Sequence, residues 1–431
     1  MTRPLGILVS LLTIMIGAGP ALAGHSPNAV AEQLGVSHGA QYAMFIPAGW
    51  NGRLVLYAHG FIAPGDPIAL PDVAPPDVAP WVVDLRETLL QAGYAVAYSS
   101  YAENGWAVKD GAARTHELRS LFITRFGVPT RVYVMGRSLG ALITAFLAEN
   151  FPGDYQGALA LCGPLGGGRL ETDYIANVRV LFDFFFPGVI PGDVLHVPPM
   201  EYSASSPIVK AIVAAIIANP QKAAMLASVD QIELPYRTLG ELVLSIVRPL
   251  GYNIQGTNDI LARTGGQSPF GNLTTWYTGL GPLYDPVVNA GVGRFAAADS
   301  AIRYLNDYYK PRGTLTIPLL TLHTTMDPDV PFFHEAALAK IVSSARTTKW
   351  LAQQSVQRYG HCNVTPAEAA ITLDRLVNWA EHGIKPVSGD VTAQLALEAP
   401  QSTVDTLTKT VSGELTFDQA ILSAVTAVSL P

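Results

Sequence analysis

The stretch that decides the fold is Arg131 to Asn150, RVYVMGRSLGALITAFLAEN. It opens with a β-rich run, Arg131-Val132-Tyr133-Val134-Met135. It then passes through Gly136-Arg137-Ser138-Leu139-Gly140 and enters a helix-forming run from Ala141 to Glu149. A strand, a tight turn carrying a serine between two glycines, and a helix are the parts of a nucleophile elbow. The residue types follow from that geometry. The serine has to sit in a strained turn with its hydroxyl above the sheet edge, and small neighbours let strand and helix approach closely. The helix N-terminus then lies beneath the serine, where its free N–H groups and dipole favour negative charge. The bare pattern is weak: in a chain with 39 glycines among 431 residues, G-x-S-x-G arises by chance roughly one time in five. A glycine-bracketed βα turn in a Rossmann-like sheet reads the same way. The remaining sequence must therefore supply a base, an acid and an oxyanion hole.

Composition narrows the class. The chain is long enough to bury a large core, as one domain with an insertion or as two. It is 49% hydrophobic and 14% charged, well below the usual charged fraction, which suits a wide α/β core and argues against disorder. Residues 1–23 read as a targeting segment: Arg3 supplies the positive n-region, Leu5 to Ile16 the apolar run, and Ala21-Leu22-Ala23 the cleavage site. The apolar run is short for a membrane span, and an uncleaved anchor is the alternative. The expectation is a secreted or periplasmic protein beginning near Gly24. The formal charge of −7 and the lack of any Lys/Arg-rich run give no footprint for nucleic acid. The two cysteines, Cys162 and Cys362, form no C-x-x-C motif, so no zinc or redox site is expected. Export permits a disulfide without requiring one.

Taken in order, residues 24–36 are weakly patterned and read as a lead-in. Gln41 to Pro47 and Arg53 to Ala58 read as strands separated by an Asn-Gly turn. The second strand runs into His59-Gly60-Phe61. The His59 ring has a packed-core reading as well, since only the backbone of this loop is invoked for an oxyanion hole. Residues 63–80 are proline-rich and repeat Pro-Asp-Val-Ala-Pro at 71–75 and 76–80, a polyproline-like loop expected at the rim of a site. A helix over Trp81 to Gln91, a strand over Tyr94 to Ser99 and a helix over Lys109 to Phe126 lead to the elbow. On that last helix Arg114, His116 and Glu117 read as a solvated face. Gly157 to Cys162 is a further buried strand. The glycines at 163–168 fit neither a phosphate loop nor a G-x-G-x-x-G register, so no nucleotide cofactor is expected.

The βα rhythm then stops. Residues 169–312 hold apolar helical runs (Ile208 to Ala218, Leu239 to Val247) and aromatic loops (Phe182 to Pro187, Trp276-Tyr277), which read as a mainly helical cap over the C-terminal sheet edge. The run at 208–218 is too short to cross a bilayer and reads as cap core rather than a lipid-facing surface. A strand over Thr314 to Leu322 resumes the sheet and is followed by the loop carrying Asp327 and Asp329. A helix over His334 to Ser344 and a last strand over Trp350 to Val356 lead to the loop at 358–363, and Thr365-Pro366-Ala367-Glu368 opens a final helix as a capping box. Residues 387–431 read as a C-terminal extension without an assigned role. The domain reading is a core over 24–168 and 313–386 with the cap between.

The order Ser138, Asp327, His361 is the triad order of the α/β-hydrolases, and over about 43–164 and 313–384 the sequence resembles that superfamily. The resemblance rests on a strand-borne His-Gly, the G-x-S-x-G elbow, the D-x-x-V-P loop and the Gly-His loop. The W-N-G turn and G-H-C before a helix resemble secreted bacterial serine esterases. The resemblance implies a mostly parallel sheet with helices on both faces. It implies Ser138 as nucleophile, His361 as base, Asp327 as acid with Asp329 as rival, and the N–H groups of Phe61 and Leu139 as the oxyanion hole. His334 and His382 lie at helix ends, which favours His361. Cys162 ends a strand at the same sheet edge, so a bridge to Cys362 would pin the His361 loop; two free buried thiols are the alternative. Arg137 departs from the smaller or apolar residue common in esterases, and it either points away or meets a substrate carboxylate.

The reading is an ester hydrolase acting through an acyl-enzyme on hydrophobic acyl or aryl esters, small or polymeric, with no cofactor, metal or nucleic-acid partner. A serine peptidase of the same superfamily is the alternative, marked by an acidic cluster in the cap; Asp173, Asp183, Asp193, Glu201, Asp230, Glu233 and Glu241 are scattered instead. A non-catalytic binder of hydrophobic ligands is the third. The oligomeric state is left open.

Overall fold

The computed structural model describes residues 30–399 and 416–429; the expected targeting segment lies outside the described residues. The first half comprises β1 (Val30–Ser37), β2 (Ala40–Pro47), β3 (Arg53–Ala58), α1 (Ala79–Gln91), β4 (Ala95–Ser99), α2 (Val108–Phe126), β5 (Arg131–Arg137), α3 (Leu139–Asn150) and β6 (Gly157–Leu161). Six helices follow before the sheet resumes: α4 (Gly168–Phe185), α5 (Pro207–Ala218), α6 (Pro220–Ala227), α7 (Leu239–Arg263), α8 (Asp285–Gly291) and α9 (Asp299–Tyr308). The rest is β7 (Leu319–Met326), α10 (Phe333–Ser344), β8 (Leu351–Tyr359), α11 (Pro366–His382), β9 (Gly389–Asp390), α12 (Thr392–Glu398) and α13 (Phe417–Ser429).

The strands form one sheet in the order β1-β2-β4-β3-β5-β6-β7-β8-β9. β1 and β2 run antiparallel at one edge, and every pair from β4 to β9 is parallel. Both faces are covered. Residues of α2, α3 and the helical insertion share one apolar core, and residues of α1 and α11 share the other. A parallel sheet buried on both faces needs near-continuous apolar strands, which is why RLVLYA and GALAL are readable by eye. Loops at the C-terminal ends of β3, β5, β7 and β8 converge on one edge, where ligands of open α/β sheets bind.

Close backbone approach explains two glycines of the elbow. A Cβ on Gly140 would lie 2.0 Å from the Ala58 carbonyl oxygen, and one on Gly136 would lie 2.2 Å from that of Gly140. Both obstacles are backbone and cannot swing aside. Gly140→Ala is therefore expected to destabilise the fold by about 3 kcal/mol or more; a urea midpoint equal to that of the parent chain would contradict this packing.

Several expectations need correction. From Val30 onward the expected lead-in is a strand, because β1 pairs along the whole of β2; its exposed edge position leaves it without an apolar stripe. The helix expected to stop at Val247 continues to Arg263 through Pro249. Proline costs a hydrogen bond and a ring clash, yet buried Leu250, Ile254 and Ile260 carry the packing onward. The strand expected over 314–322 begins after Pro318 and runs to Met326, and the one expected over 350–356 runs to Tyr359. Within the expected C-terminal extension, β9 adds two residues to the sheet edge beside β8, too short and polar to show a period. The face of α2 read as solvated is half-buried and paired, with Arg114 bridging Asp110 and Glu117 and His116 stacked on Phe151.

Candidate active site

Ser138 is the hinge between β5 and α3, at φ 59° and ψ −127°, a region costly for any residue with a side chain. The surroundings hold it there: its N–H donates to the Leu161 carbonyl at 2.8 Å. A Cβ on Gly60 would lie 3.1 Å from Ser138 Cβ, so the loop leaving β3 runs directly against the serine. Leu139 opens α3, and its N–H is one of the helix's first four, which have no intrahelical acceptor. The Phe61 ring reaches across to the insertion, 5.4 Å from Tyr252, and sits 5.7 Å from Trp106. The His59 ring is buried and stacks on Tyr101 at 3.7 Å. Burial, partly offset by the Gly60 and Ser100 carbonyls, pulls it down to about 4, so it packs as a neutral ring.

His361 follows β8, and Asp327 follows β7. Nδ1 of His361 lies 3.0 and 2.9 Å from the two carboxylate oxygens of Asp327. Asp327 is 1% exposed and also accepts from the N–H groups of Asp329 at 2.9 Å, Val330 at 3.0 Å and Cys362 at 3.1 Å. Burial pushes its carboxyl up, but the charges of His361 and His323 and these hydrogen bonds hold it below the usual range. A carboxylate held this way fixes an N–H on Nδ1 of His361 and leaves Nε2 as the basic atom. That Nε2 is buried and has no hydrogen-bond partner among the described residues.

The rival Asp329 is committed elsewhere. Its carboxylate takes a forked pair from Arg248 of α7 at 2.7 to 3.0 Å and the Tyr252 hydroxyl at 3.0 Å. Arg248 also donates to Asp418 of α13 at 3.0 Å. This network joins the acid loop, the insertion and the chain's last described helix. Behind Asp327 lies His323, at 3.2 Å from Glu335 and 2.9 Å from the Val330 carbonyl. Burial opposes its charge, but Glu335, Asp327 and that carbonyl outweigh burial and raise its pKa. Sequence reasoning missed His323, Arg248 and Asp418. The first two carry a signal: a histidine four residues before Asp327 at the end of an apolar strand, and a lone cation in the apolar helix LVLSIVRPLGY. Asp418 carries none.

Cys162 and Cys362 are joined in a disulfide, tying the end of β6 to the residue after His361. Arg137 does not point away from the site. Its Nη2 donates to the carbonyls of His361 at 3.3 Å and Cys362 at 3.5 Å, and its guanidinium lies 5.4 Å from the Trp81 ring centre. Ser138, His361, Phe61 and Arg137 all line one cavity of about 280 Å³. The proline-rich loop contributes Pro71, Pro75 and Val78 to its wall, and α13 contributes Phe417.

The strand order, with a serine elbow after β5, an acid after β7 and a histidine after β8, decides the architecture. The chain has the α/β-hydrolase fold. No family model and no curated protein matches it. Among solved structures it is similar to feruloyl esterase B from Aspergillus oryzae, at 14% identity over 81% of this chain and 80% of that one, with a TM-score of 0.47. It is similar also to a second Aspergillus oryzae esterase (12% identity, 80% and 78% covered, TM-score 0.41). A proline iminopeptidase from Mycobacterium smegmatis matches at 13% identity, 82% and 100% covered, with a TM-score of 0.41. On this hydrolase fold the expected site residues of both sheet halves come together at the C-terminal edge.

Proposed function

We propose that the protein is a serine hydrolase of carboxylic esters that works through an acyl-enzyme. The observation carrying this reading is that the strained Ser138 and the Asp327-bound His361 line the same cavity. Ser138 Oγ attacks the ester carbonyl while Nε2 of His361 takes its proton; Asp327 steadies the imidazolium through Nδ1–H. The N–H groups of Phe61 and Leu139 receive the oxyanion as the carbonyl π electrons move onto oxygen. Collapse expels the alcohol, which receives its proton from Nε2, and a water repeats the sequence to release the acid. Apolar walls from Phe61, Trp81, Tyr252 and Phe417 favour hydrophobic acyl or aryl groups.

Labelling with a fluorophosphonate probe tests the reading. The adduct is expected on Ser138, with no labelling of Ser138→Ala and turnover of a 4-nitrophenyl ester series by the parent chain; an adduct on another residue ends the mechanism. The peptidase alternative looks for an amine-holding acid cluster in the insertion, and none of the seven acids named there lines the cavity. Export is part of the proposal, supported by the leader pattern and by a disulfide that persists in oxidising compartments. Protein recovered outside the cytoplasm is expected to begin near Gly24.

A further inference from the structure

The cavity holds polar groups that the proposed ester chemistry does not use. β3 and β5 pair in parallel with Tyr57 opposite Met135, and side chains two apart share a face. Tyr57 and Arg137 therefore lie on one face of the sheet, on the side of α1, where the Tyr57 ring sits 6.2 Å from Trp81. Both line the same cavity as Ser138 and His361.

Tyr57 is 2% exposed, and its hydroxyl has no hydrogen-bond partner among the described residues. Arg137 has five N–H groups to satisfy. Its two carbonyl contacts are long, and among the described residues its buried Nε has no hydrogen-bond partner and no carboxylate pairs with it. A half-buried cation with open donors, beside a phenol with an open donor, is an arrangement that proteins complete with an acceptor. The fork of a guanidinium matches the two oxygens of a carboxylate, and Trp81 beneath it supplies an apolar platform. Burial pushes the Tyr57 hydroxyl up to about 12, partly offset by the Arg137 charge, so at neutral pH it is a donor rather than a phenolate.

We propose that Arg137 and Tyr57 form an acid-recognising subsite, so that the ester cleaved at Ser138 carries a carboxylate on its acyl or its alcohol part. The inference rests on the ester-hydrolase reading and sharpens it to a substrate class: half-esters of dicarboxylic acids, or esters of carboxylated alcohols and phenols.

Two matched pairs of substrates test it and separate the two placements. Mono-4-nitrophenyl adipate against 4-nitrophenyl hexanoate probes the acyl side, and 4-carboxyphenyl butyrate against phenyl butyrate probes the alcohol side. In one arm the acidic ester is expected to be favoured at least about tenfold in kcat/KM, and Arg137→Gln to cut that ratio about tenfold or more. Tyr57→Phe should cut it less, and Arg137→Lys, which keeps charge but loses the fork, should fall between. A ratio near one in both arms overturns the proposal. So does an equal slowing of acidic and neutral esters by Arg137→Gln, which would make Arg137 a support of the His361 loop only.

A titration independent of turnover keeps the two readings apart. By calorimetry, Ser138→Ala should bind one acidic amide at least about tenfold more tightly than its neutral match, either adipic acid monoanilide over hexananilide (acyl side) or 4-butanamidobenzoic acid over butyranilide (alcohol side), and the added Arg137→Gln change should remove the difference. If no ester is cleaved and Ser138 takes no label, the hydrolase reading fails, while this titration still decides the subsite. Equal binding within both amide pairs sinks it.

Discussion

Asp327→Asn is expected to lower kcat for the best aryl ester on the order of 10⁴-fold, with the fold left intact. The carboxylate accepts from Nδ1 of His361 and from three backbone N–H groups. An amide can keep the bonds from Asp329 and Val330 by presenting its oxygen to them, but its NH₂ then faces both Nδ1 and the Cys362 N–H. The imidazole is driven to the tautomer with its proton on Nε2, and that atom can no longer accept from Ser138. Asp329→Asn is expected to do the reverse. It removes one charge from a buried pair with Arg248, so stability falls by about 3 kcal/mol while the proton path is untouched. Kinetics with a 4-nitrophenyl ester and urea unfolding of the two variants decide the matter. If Asp329→Asn gives the collapse in kcat and Asp327→Asn does not, the acid has been assigned to the wrong carboxylate.

Removing the disulfide, by Cys162→Ser with Cys362→Ser, is expected to be the costliest change to stability. The bond closes a loop with a sequence separation of 200, for which the chain-entropy relation gives about 5 kcal/mol at 25 °C. The bond also bears on the site, because Cys362 donates its N–H to Asp327 and adjoins His361. Turnover should therefore fall in the folded double variant as the His361 loop gains freedom. Urea unfolding without reductant, beside single-turnover acylation of Ser138, measures both. A double variant with the parent's midpoint and acylation rate would show that the bond neither stabilises the chain nor positions the histidine.

Much of this was readable because local rules and the global fold agree. The elbow is a short-range object: strand, glycines, serine and helix lie within twenty residues, and each residue type answers a local steric demand. The buried parallel strands advertise themselves by composition, and the capping box at Thr365 by its spacing. What misled was context. β1 is an edge strand held by β2 rather than by its own pattern, and α7 passes through Pro249 because tertiary burial outweighs the local penalty. Between Asp327 and Asp329 the sequence offered only position after a strand. The choice visible in space comes from partners far along the chain, His361 for one and Arg248 with Tyr252 for the other.

The sequence by itself determined the class of fold and the order of serine, acid and histidine, since those follow from periodicity, turn chemistry and position relative to strands. It also carried both cysteines and the odd Arg137. Tertiary structure alone decided that Arg137 faces the cavity beside Tyr57, whose hydroxyl has no hydrogen-bond partner among the described residues, and that Asp418 of α13 is paired with a cation of the insertion. The physical reason is that burial and pairing of charge are properties of neighbours in space, and no local pattern records which distant residue will be the neighbour.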